Sequence, residues 1–116
     1  IEGQALHGFL RRPFAKPDRR HTFNQYVVRV PHQHRDALVK YMKDSGVGVE
    51  VYYPLSLHQQ ECFQFLGYRT GDFPTSEEAA LSVLALPMFP EITEEQQARV
   101  IDVCAGYLRQ TVRRAA

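Results

Sequence analysis

Cysteine is scarce in this chain, with two residues among 116. Cys62 and Cys104 lie far apart in sequence, and no CxxC pair or tight Cys/His cluster accompanies them. That spacing argues against a disulfide framework and against a cysteine-based metal site. The expectation is two buried free thiols in apolar, helical surroundings. His32 and His34 flank Gln33 without companions, so they read as residues of a solvated loop or first helical turn and not as metal ligands. Long apolar runs are missing as well. Nothing approaches the roughly 20 apolar residues that cross a bilayer. The opening IEGQALHGFL lacks the charged start and small-residue cleavage site of a signal peptide. The reading is a soluble, cytoplasmic protein with no membrane role. A strong excess of charge is absent too: charged residues make up 23% and the net charge is +1, which makes nucleic acid an unfavoured partner.

The motifs of self-contained catalysis are equally absent. There is no GxSxG elbow and no HExxH. The GVG at 46–48 follows a helical pattern and precedes a strand, the reverse of the order in a dinucleotide-binding turn. The three lysines, Lys16, Lys40 and Lys43, sit in a connector or on a polar helix side, where nothing desolvates them into nucleophiles.

What is present is a regular alternation of elements. An apolar fraction of 44% over this length supports one modest core. Residues 1–20 read as a connector. Its RRPFAKPDRR stretch, 11–20, carries five basic residues against one acid, and Pro13 and Pro17 prevent regular structure. Residues 21–116 read as the folded domain. In NQYVVRV, Tyr26, Val28 and Val30 share one face, the mark of a strand that Pro31 ends. RDALVKYMKDSG places Ala37, Leu38, Tyr41 and Met42 on one helical side, with Gly46 as the stop. VGVEVYY returns to period two, with Val47, Val49, Val51 and Tyr53 on one face. Thr75 with Glu78, and Thr93 with Gln96, carry the spacing of capping boxes. Between them VLALPMFP reads as a buried strand. After them Val100, Ile101, Cys104, Tyr107, Leu108 and Val112 trace one face of a long helix whose end holds Arg109, Arg113 and Arg114. The expected fold is α/β (α+β), a three- to four-stranded sheet with helices on one face. Its other face lacks a cover.

The chemically richest stretch is GVEVYYPLSLHQQECF, residues 48–63. Neighbouring strand residues point to opposite faces, so Tyr52 and Tyr53 cannot both be core. One phenol can project towards a ligand, with His58 in or after the turn forced by Pro54. Aromatic packing with a surface histidine is the plainer reading, and the residues alone leave both open.

Three strings, HTFNQYVVRV, RDALVKYMKDSGVGVEVYYPLSLHQQECFQFLGY and GDFPTSEEAALSVLALPMFPEITEEQQARVI, resemble in order and spacing the C-terminal part of the DegT/DnrJ/StrS family. These are pyridoxal-phosphate-dependent sugar aminotransferases, and the likeness runs over residues 21–108. The resemblance implies the small C-terminal domain of a type I aminotransferase, cut from or lacking the large domain that carries the cofactor-bearing lysine. Without that lysine the chain is expected to bind no pyridoxal phosphate and to be inactive alone. The resemblance further implies a nucleotide-linked keto sugar as substrate, glutamate or glutamine as amino donor, and a homodimer with sites between subunits. It places Tyr53 at the tyrosine of the family's His-Tyr-Pro, near the nucleotide sugar. Tyr52 stands where many members carry histidine, and a phenol does not titrate near neutrality. His58 matches the family's Leu-His position. Arg29 is a secondary candidate for the donor carboxylate and Glu50 for a polar contact, each weighed against a surface role. The alternative is a stand-alone small domain that binds a nucleotide sugar without catalysis. A nucleic-acid or protein interaction domain using the basic segment is the weakest reading.

Overall fold

The computed structural model of the chain describes residues 8–115, and side chains as far as Thr111. The expected roles of Val112, Arg113 and Arg114, and the start of the connector, fall outside the described residues. The period-two run YVVR forms β1, Tyr26–Arg29. Pro31, with φ fixed and no N–H to lose, stands at the N-cap of α1, His32–Asp44. The buried side of α1 is Arg35, Leu38 and Met42, spaced three and four apart. Leu38 and Met42 are almost fully enclosed, each burial stabilising the fold by about 1.5–3 kcal/mol. Ala37, expected on that side, is exposed beside the half-buried Tyr41, because the stripe centres on Leu38. Gly46 ends the helix in the left-handed region at φ +77°. Its N–H reaches Lys43 O at 3.0 Å, and the Val47 N–H reaches Met42 O at 2.9 Å, satisfying carbonyls of the last turn.

Helix α2, Pro74–Ser82, passes without a loop into β2, Val83–Leu86. The two strands pair antiparallel with Tyr26 opposite Leu86, Val28 opposite Leu84 and Arg29 opposite Val83. That register puts Val28, Leu84 and Leu86 with Leu38, Met42, Val103, Cys104 and Leu108 in one core. Val27, Arg29, Val83 and Ala85 take the opposite face, and none belongs to that core cluster. Two further segments flank the ladder by single antiparallel bridges, Arg11 to Arg29 and Glu50 to Ala85. Four segments therefore lie side by side, in the order Arg11, β1, β2, Glu50, and only the inner two form a continuing ladder. The mixed helix and sheet fold expected from the sequence is present; the sheet is antiparallel, and of the three to four strands expected two form a ladder and the others are single bridges.

The stretch VGVEVYY keeps its alternation but narrows to the bridge at Glu50. Val47 and Val49 are buried, whereas Tyr53 leaves the valine face and is 61% exposed. The chain bends at Tyr52 and again at Pro54 and Leu55, which takes Tyr53 out of the alternation. Helix α3, Glu94–Ala115, opens with the expected capping box. The Thr93 N–H donates to Gln96 Oε1 at 2.9 Å and the Gln96 N–H to Thr93 Oγ1 at 3.2 Å. The second expected box is not formed. Helix α2 starts earlier, with Pro74 in its first turn and no side-chain cap, and the acid that reaches back is Glu77, not Glu78. No helix among the described residues is long and apolar enough to cross a membrane.

Of the two thiols expected to be buried, Cys104 is, and burial pushes its pKa up to about 11. Cys62 is exposed, because its short 3-10 turn, Glu61–Leu66, buries no residue. His34 lies in the first turn of α1, its Nδ1 3.2 Å from Tyr107 Oη. Arg35 was not anticipated as a core residue. Only 6% exposed, it donates from Nη1 to Ala80 O at 2.9 Å and Val83 O at 3.2 Å, and from Nε to Asp36 at 2.5 Å. The guanidinium thus ties α1 to the end of α2, a cation where the helix leaves partial negative charge.

Candidate functional site

Because Glu50 bridges Ala85, period two carries Gly48, Glu50 and Tyr52 to the sheet face opposite the core. Tyr52 is 53% exposed and walls two adjoining depressions there. One, of about 110 Å³, has Val27, Val83 and Ala85 in its walls and Tyr53 at its rim. The other, of about 120 Å³, extends past Gln25 and Asn24 to Met88. Just upstream, Phe23 adopts φ +49°, uncommon for a bulky residue, and stacks between His21 and Tyr26. These depressions are small and shallow compared with pockets that enclose a whole ligand.

The secondary candidates fall on the same face. Arg29 is half-buried at the Val83 end, its backbone engaged by Arg11, and no carboxylate among the described residues pairs with its guanidinium. Glu50 is exposed, with its carboxylate 3.6 Å from Lys43 Nζ. His58 is not brought to the tyrosines. Its side chain is 7% exposed and its Nε2 lies 2.9 Å from Glu77 Oε1. The ring packs against Phe73 with centroids 4.8 Å apart.

Glu77 is the residue that sequence reasoning missed. Its Oε1 and Oε2 accept the Gly71 N–H at 2.8 and 2.9 Å, and Oε1 also accepts the Phe73 N–H at 3.3 Å. Partial burial pushes this carboxyl up. The bonds from Gly71, Phe73 and His58 outweigh that effect, so its pKa lies below the ordinary carboxylate value. A proline at the first helical position with an acid in the first turn is the sequence signal that marks it.

The lysines do not fit an imine-forming cofactor. Lys16 is exposed, Lys40 Nζ pairs with Asp44 at 2.6 Å, and Lys43 is half exposed beside Glu50. None is desolvated, and no step of such chemistry can be assigned to these residues.

The model of the DegT/DnrJ/EryC1/StrS aminotransferase family matches residues 4–105. The chain belongs to that family. A family relative from Geobacillus stearothermophilus, named a pleiotropic regulatory protein, is 47% identical over 91% of this chain. A dTDP-3-amino-3,4,6-trideoxy-alpha-D-glucose transaminase from Micromonospora megalomicea subsp. nigra is 34% identical over 85% of it. Among solved structures, S. venezuelae DesV in complex with a ketimine intermediate superimposes with a TM-score of 0.81 at 27% identity over 88% of the chain. The chain spans 28% and 26% of the length of the two curated relatives and 28% of the DesV chain.

Proposed function

We propose that this chain is the C-terminal small domain of a pyridoxal-phosphate-dependent aminotransferase that aminates a nucleotide-linked keto sugar. The family match, over so small a share of each relative's length, carries the reading. In it residues 1–20 lead from a large domain that holds the cofactor, and residues 21–116 close over the substrate. The sheet face opposite the core becomes one wall of the active site, with Tyr52 and Tyr53 offering phenolic hydrogen bonds to the sugar nucleotide. Arg29, half-buried and unpaired with any carboxylate among the described residues, receives the carboxylate of glutamate or glutamine as a planar fork. Glu50 is a rim contact. His58, committed to Glu77, serves the substrate by holding the turn that follows the tyrosines. The domain's contribution is orientation and exclusion of water, and bond making belongs to the cofactor and its lysine. The complete enzyme acts as a homodimer.

The test uses the isolated chain and the same chain joined to its upstream region. The isolated chain with added cofactor gains no visible absorbance and converts no keto sugar, and the joined protein does both. Calorimetry with nucleotide-linked sugars should give the isolated chain a Kd weaker than about 1 mM, as half a site should. Turnover by the isolated chain overturns the proposal. Micromolar binding by it without turnover favours a stand-alone nucleotide-sugar binding module.

A further inference from the structure

Between Tyr52 and Phe73 the chain makes a long excursion off the sheet, and of those residues only Ser56 is buried. None of them joins the buried apolar core, and the His58 side chain is shielded by Glu77 and Phe73. Side-chain hydrogen bonds do the work of placement. Ser76 Oγ lies 3.2 Å from Ser56 Oγ, and Gln59 Nε2 donates to Thr70 Oγ1 at 3.1 Å. The dominant junction is Glu77, which holds the near side through His58 and the far side through the Gly71 and Phe73 amides. Both members of the pair are largely shielded from water, with side chains 7% and 14% exposed, which strengthens each bond to the carboxylate. Helix α2, which presents Glu77, is itself anchored to α1 by Arg35.

We propose that Glu77 and His58 form a latch that positions Tyr52 and Tyr53, acting as positioning residues that do not themselves touch the ligand. The latch is local: opening it frees the excursion and the tyrosines at its start and leaves the core intact. Its functional half rests on the proposed role of the tyrosines. Its structural half does not.

Amide hydrogen exchange on the full chain tests the structural half. In Glu77→Ala the Gly71 and Phe73 amides exchange at least about tenfold faster, the loss of one charge-assisted bond. The amides of Val28 and Leu84, deep in the ladder, keep their rates. His58→Ala acts in the same direction, and His58→Gln, whose amide nitrogen reaches where Nε2 does, restores slow exchange. Unchanged Gly71 and Phe73 rates, or equal acceleration of the ladder amides, overturn the latch. Should Glu77→Ala not fold, the His58→Ala and His58→Gln pair decides the same question. For the functional half, the chain joined to its upstream region carries the same variants. Glu77→Ala and His58→Ala raise KM for the keto sugar nucleotide about tenfold, with a smaller effect on kcat, and His58→Gln recovers most of it. If Tyr53→Ala raises KM and Glu77→Ala does not, the positioning role is wrong. If neither Tyr52→Ala nor Tyr53→Ala moves KM, the reading of the tyrosines fails while the exchange result stands.

Discussion

Single side chains here separate into those set by burial and those set by charge. Cys104 and Cys62 are the plainest contrast. One is 3% exposed and 3.7 Å from Met42 Sδ, and the other lies in an outlying turn. A thiol reagent should modify Cys62 promptly in the native state and reach Cys104 only on unfolding, so counting modified thiols per chain with and without denaturant checks it. The Cys104 pKa, raised from 9.0 to about 11, also fixes a pH dependence. Its stabilising effect is complete below the unfolded value and is lost as pH rises towards the folded one. Denaturant titrations at pH 8 and pH 11 should differ by about 2 kcal/mol from this group, and Cys104→Ala should flatten that difference. Arg35 is the other extreme, a buried cation whose partners are main-chain carbonyls. Arg35→Ala leaves Ala80 O and Val83 O without it and should lower the unfolding free energy by about 3 kcal/mol, read from the urea midpoint.

At the level of elements, the helix and strand patterns were legible wherever one face is buried and the register is enforced. Val28 in β1 and Val30 just beyond it, Leu38 and Met42 in α1, and the Thr93–Gln96 cap of α3 all stand where period and capping chemistry put them. The segment from Val47 to Tyr53 was legible only in part. Its alternation is real, but period says nothing about how many backbone bonds a segment makes, and this one makes a single bridge before the chain bends at Tyr52. Glu77 was hidden for a different reason. Its partners lie in a turn whose folding no periodicity describes, and a neighbouring acid, Glu78, offered a more familiar spacing. The candidate site was accordingly half visible. Tyr52 stands on the face that strand alternation gives it and Tyr53 does not, while the burial of His58 depends on contacts made nineteen positions away along the chain. Because the Glu77 pKa lies below its ordinary 4.5, the interactions it makes persist above that value and fade as pH falls through the lower folded one. His58 is the titratable side chain that faces it. The Gly71 amide resonance, followed by NMR against pH, should therefore move with a midpoint below 4.5 in the wild type and stay flat in Glu77→Gln.

For the molecule as a whole, the telling feature is where apolar surface is left in water. Phe65 is 81% exposed, and Leu57, Leu66, Tyr68 and Phe73 are also exposed, all on the excursion. Clustered apolar side chains of this kind mark surface meant for contact. The isolated chain should self-associate, with sedimentation velocity showing a mass that grows with concentration. Phe65→Ser with Leu66→Ser should return it towards a monomer of 13.4 kDa without shifting the thermal midpoint, since neither residue is buried.

Ser82 ends a helix and Val83 begins a strand with nothing between them. That joint has no slack. The same unbroken piece of chain therefore carries, at one end, the carboxylate that grips the outlying turns and, at the other, the floor of the hollow beneath Tyr52.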